Sequence, residues 1–76
     1  MDGEFVAVLR ELMASWGWPP AQIEYALPAC IRACVDVGIL RPVGDGYALT
    51  PLVEDDGAWE RVWALLRKEG FRGASA

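Results

Sequence analysis

Cys30 and Cys34 are the only thiols in the chain and stand four residues apart. On a helix that spacing puts both on one face but stacks them along the axis, a poor arrangement for a disulfide. The sequence contains no histidine, so a tetrahedral zinc site would lack its remaining ligands. The pair therefore reads as two small core residues in a reducing compartment. Ser15 and Ser75 are the only serines, one expected in the last turn of a helix and one in a tail. Neither has a base close by in the chain to activate it. The run Glu54-Asp55-Asp56 offers three carboxylates, but consecutive acids before an apolar stripe are what a helix N-terminus attracts as cap and first-turn charges. The expectation is a protein that is not an enzyme and holds neither metal nor cofactor.

Charge restricts the partners further. Eleven acids against seven bases give a net charge of −4, with no strongly basic stretch. Affinity for nucleic acid comes largely from Lys and Arg on phosphates, so this balance disfavours DNA. The apolar runs are broken by charge or proline well short of a membrane span. The N-terminus lacks a basic segment followed by an apolar one, and a cytoplasmic location is expected. At 76 residues the chain is one domain at most, expected over residues 1–71, with a frayed tail at 72–76.

The elements follow from periodicity and from glycine and proline punctuation. Phe5, Leu9, Leu12 and Trp16 form an apolar stripe at helical spacing, with Asp2 placed as a cap or first-turn acid. Gly17-Trp18 then supplies a left-handed stop and an apolar residue that can fold back onto Met13. Pro19-Pro20 opens a second helix, short because Pro28 disfavours helical geometry at Leu27; a tight turn is expected at 27–28. A third helix follows over 29–37, with Ile31, Cys34 and Val35 inward and Ala29, Arg32, Ala33 and Asp36 outward, ended by Gly38-Ile39. Next comes a hairpin, Ile39–Val43 and Tyr47–Thr50, turning at Gly44-Asp45-Gly46 with Asp-Gly as its positive-φ pair. The last helix, residues 57–69, carries Trp59, Val62, Trp63 and Leu66 on one face and ends at Gly70-Phe71.

This order predicts a mainly α (α+β) domain: three helices, a two-stranded β-hairpin wing and a C-terminal helix. The segment Ala33-Cys34-Val35-Asp36-Val37-Gly38-Ile39-Leu40-Arg41-Pro42-Val43-Gly44-Asp45-Gly46-Tyr47-Ala48-Leu49-Thr50-Pro51-Leu52 resembles the end of a recognition helix and the wing of the winged helix-turn-helix superfamily. The same pattern occurs in winged-helix transcription regulators and in the dimerisation domain of small-molecule O-methyltransferases. The resemblance implies the fold, and it implies that such modules dimerise through their outer helices. It carries over no methyl transfer, because the chain has no Gly-rich nucleotide-binding segment.

Two partner classes remain. In a DNA-binding winged helix the third helix enters the major groove, and here Gln22, Arg32, Arg41 and Tyr47 are the residues that would serve it. They are few, and Asp36 on the helix and Asp45 at the wing tip oppose phosphate. A protein partner, or a homodimer, is the favoured reading. Four tryptophans crowd so small a core, so some aromatic surface should face outward. Trp18, Tyr25, Trp63 and Phe71 are the candidates, while Trp16, Trp59 and Leu66 are expected in the core.

Overall fold

The computed structural model describes residues 4–71, so the cap expected at Asp2 and the tail at 72–76 lie outside the described residues. Three α-helices, α1 (Glu4–Ser15), α2 (Pro20–Val37) and α3 (Asp56–Lys68), surround an antiparallel hairpin of β1 (Leu40–Val43) and β2 (Gly46–Leu49). A 3₁₀ turn, Pro51–Glu54, joins β2 to α3. The chain is thus mainly helical with a two-stranded sheet, and no helix among the described residues is long and apolar enough to cross a membrane.

All three helices stop as their glycines predict. Gly17, Gly38 and Gly70 have φ of 91°, 104° and 99°, a conformation that costs glycine little and other residues much. In each case the next residue's N–H reaches back five residues, Trp18 to Met13 O, Ile39 to Cys34 O and Phe71 to Leu66 O, at 3.2, 2.9 and 3.0 Å. That bond is the closing link of a Schellman-type cap, and it aims the apolar residue after the glycine back at the domain. Trp18 and Ile39 are accordingly buried and Phe71 packs against the core.

The tight turn expected at 27–28 is not formed: Pro20–Val37 is one continuous helix with Pro28 inside it. Pro28 lies on the exposed side of α2. The carbonyl that loses its partner there, that of Glu24, is on the same outward face, where water can take the bond. The opposite side of the helix buries Ile23, Ala26, Leu27, Ala29, Cys30, Ala33 and Cys34. Proline inside a helix costs about 3 kcal/mol; a face of this size offsets it, since each methylene taken from water contributes about 0.8 kcal/mol.

The inward face of α2 is also rotated from the expected one. Ala29 and Ala33, expected outward, are buried, while Ile31 and Val35, expected inward, are half-buried. The chain makes α2 a central helix, in contact with α1, α3 and β1. A helix with neighbours on several sides buries a wider arc than a single stripe shows, and its small residues let those neighbours approach closely.

The hairpin forms at the expected place with a different turn. Leu40 pairs with Leu49, Arg41 with Ala48, Pro42 with Tyr47 and Val43 with Gly46, leaving Gly44-Asp45 as the two-residue loop. Only Gly44 has positive φ, at 57°, so the left-handed position is the first loop residue rather than an Asp-Gly pair. Leu40 is buried and the rest of β1 is exposed, so the hairpin leaves the core at its base and projects outward. Thr50 ties that base down: its N–H donates to Ile39 O at 2.8 Å and its Oγ1 to Gly38 O at 2.6 Å, while Oγ1 accepts from Leu52 N at 3.3 Å. The acidic run behaves as a cap, with Asp55 Oδ1 accepting from Gly57 N at 3.2 Å and Asp56 in the first turn.

Candidate functional site

The outward face of α2 is a stripe of exposed residues, Ala21, Tyr25, Pro28, Arg32 and Asp36, spaced by four, three, four and four. That spacing places all five on one side of a helix. Tyr25 is the most exposed large apolar residue described, at 77%. Its ring lies 5.5 Å from that of Phe71, tilted by 60°, so the residue that ends α3 extends the aromatic surface begun on α2. One turn pair further along, Arg32 Nη2 donates to Glu69 Oε1 at 3.2 Å. Its side chain nevertheless stays 64% exposed. At the start of the same helix Glu24 is held by Arg10 of α1, Nε to Oε2 at 2.8 Å.

The tryptophan candidates separate. Trp18 is 7% exposed, so it belongs to the core rather than to a docking surface; the bond to Met13 O folds it inward. Trp63 is half-buried and sits edge-on to Trp16, with centroids 5.3 Å apart and planes at 84°. Trp16 makes a second such contact with Trp59, also at 5.3 Å. The crowding expected of four indoles is thus resolved by edge-to-face packing, a favoured arrangement of aromatic quadrupoles. The indole Nε1 of Trp63 is buried without a hydrogen-bond partner. Tyr25 and Phe71 are the two candidates brought together.

The four residues considered for nucleic acid are not one surface. Arg32 and Tyr47 line a cleft of about 210 Å³ with Ala33, Val35, Asp36, Leu65 and Glu69. Arg41 is exposed on β1 opposite Ala48, and Gln22 is half-buried in the first turn of α2. Two carboxylates, Asp36 and Glu69, line the cleft, and one of them engages its arginine. A phosphate entering there meets acids first.

Glu69, Leu65 and the basic pair Arg61 and Lys68 escape a sequence reading. Arg61 and Lys68 border a second open cleft of about 430 Å³ beside Asp36. Glu69 meets Arg32 across 37 positions of chain, a separation at which helical periodicity says nothing.

Cys30 and Cys34 are fully buried free thiols. The hydrogen bond to Cys30 and burial both push the Cys34 thiol up. Neither sulfur is accessible as a nucleophile. The expected result of a thiol titration with Ellman's reagent is no fast-reacting group in the native protein and two in 6 M guanidinium, about the concentration that unfolds a small domain. Rapid native reaction of either would show that α2 opens.

No family model, no curated protein and no solved structure matches this chain.

Proposed function

We propose that the chain is a small winged-helix-like module, cytoplasmic and not an enzyme, that works by binding another protein in a regulatory or assembly role. In this reading the helices expected on either side of Pro28 run as one, and the hairpin is the wing. The single observation that carries it is the aromatic pair Tyr25–Phe71, left open on the outer surface of a domain that buries its other large apolar residues well. Exposed aromatic surface of this kind, bordered by charge, is what protein interfaces use as an anchor.

The second reading, a dimeric regulator that grips DNA with α2 and the wing, is favoured only by Arg32 and Tyr47 sharing a cleft beside the hairpin. The net charge of −4 and the acids in that cleft weigh against it. A mobility-shift assay on random duplex DNA in about 50 mM salt separates the two, because phosphate-driven binding is strongest at low salt. No shift is expected at micromolar protein. A shift that collapses as salt is raised and disappears in Arg32→Ala would overturn the protein-binding reading.

A further inference from the structure

We propose that the partner is a second copy of this chain, docked antiparallel on the outward face of α2 about a two-fold axis beside Pro28. The inference rests on the protein-binding reading and names its partner. A two-fold interface must be self-complementary, each patch facing a symmetry image of itself. When two copies of α2 lie antiparallel with the axis between positions 28 and 29, residues equally far from the axis on either side meet across it. Tyr25 of one copy then faces the second copy's Arg32, and each Arg32 faces the other Tyr25. Ala21 meets Asp36 in the same way. All of these are exposed, and all lie on one stripe.

The chemistry of the central contact is complementary. Glu69 engages Arg32 through one nitrogen, which orients the guanidinium while its side chain stays open. Tyr25 has Phe71 against part of its ring and is otherwise in solvent. A guanidinium seated on a tyrosine face is a cation–π contact that strengthens as water leaves. Each copy supplies one cation and one ring, so the dimer forms two identical contacts and leaves no like charges opposed at its centre. Pro28 suits the middle of such a seam: it carries a compact apolar ring and no N–H that burial would leave unsatisfied.

The test measures molecular mass by sedimentation equilibrium over a protein concentration series. Wild type is expected to form a concentration-dependent dimer, weakened about tenfold by Tyr25→Ala and by Arg32→Ala, the scale of a well-placed cation–π pair. The decisive comparison is between two charges at position 25. Tyr25→Glu keeps an attraction for the second copy's arginine and retains the dimer; Tyr25→Arg opposes like charges and abolishes it. A nonspecific apolar patch would lose the dimer equally in both. Pro28→Cys, beside the axis, is expected to cross-link two copies on mild oxidation, whereas Glu60→Cys on the exposed side of α3 is not. Far-UV circular dichroism of every variant is expected to match wild type, since the substituted side chains are exposed.

A wild type that stays monomeric throughout overturns the inference. So does a dimer indifferent to Tyr25 and Arg32, or one in which both charges at position 25 act alike. In those cases, capture of a different protein that is lost in Tyr25→Ala would leave the broader protein-binding reading standing. DNA binding that depends on Arg32 would remove both.

Discussion

Trp59→Ala is expected to unfold most of the protein at 25 °C. Trp59 sits in the first turn of α3, buried against Trp16, and its indole Nε1 donates to Val53 O at 2.7 Å. It therefore does two jobs. The ring fills the space between α1 and α3, and the N–H pins the 3₁₀ turn that leads into the helix. Removing a buried tryptophan side chain costs about 3–5 kcal/mol in packing and cavity terms. Val53 O then loses its partner, for about a further 1 kcal/mol. A domain this size has in total only about 4–11 kcal/mol, at roughly 0.05–0.15 kcal/mol per residue. Trp59→Phe keeps most of the ring and loses the bond, so it should fall between wild type and the alanine variant. Urea unfolding followed by far-UV circular dichroism reads all three without depending on the fluorophore removed. A midpoint for Trp59→Ala within error of wild type would mean that the α1–α3 contact contributes little.

The second large effect is expected at Gly38. Its φ of 104° lies outside the region that residues with a Cβ adopt comfortably. An added Cβ would also come within 3.2 Å of Leu52 Cδ1. Gly38 stands where helix, hairpin and 3₁₀ turn converge: its N–H caps Cys34 O and its carbonyl accepts from Thr50 Oγ1. Relaxing φ would swing both groups away from their partners, so the chain must hold the strain or lose the junction. Gly38→Ala should lower stability by about 1–3 kcal/mol, the range for a non-glycine residue held in a disfavoured conformation. Gly46→Ala is the control, since that position has ordinary φ and open space around the site of a Cβ. It should shift the urea midpoint little, and equal losses at the two glycines would remove the strain argument.

The parts of the fold legible in the sequence are those set by local chemistry. Three glycines followed by an apolar residue mark the three helix ends, because the left-handed stop and the backward bond need only residues within one turn. Glycine-rich residues between two apolar runs mark the hairpin, and the acids at 54–56 mark the start of α3. The details that shifted depend on neighbours far along the chain. Which of two adjacent loop residues takes positive φ follows from the pairing of Val43 with Gly46, and strand pairing is a property of two segments.

The candidate site divides along the same line. An aromatic at position 25 and an arginine at position 32 can be assigned to one helix face only if residues 20–37 are one helix, and Pro28 argues locally for two. Burial of the opposite face decided otherwise, while the proline and its orphaned carbonyl remained where water reaches them. Trp18 shows the converse. Its position after a helix stop and before two prolines suggests exposure, yet the cap turns it into the core. By itself the sequence determined where helices stop and where the chain reverses, since each such event is settled by the conformational preferences of a few consecutive residues. Tertiary structure alone decided that α2 is continuous, that Arg32 meets Glu69, and that Tyr25 and Phe71 share one open surface. Each of those joins residues that only packing brings together, through burial energies larger than the local preferences they override.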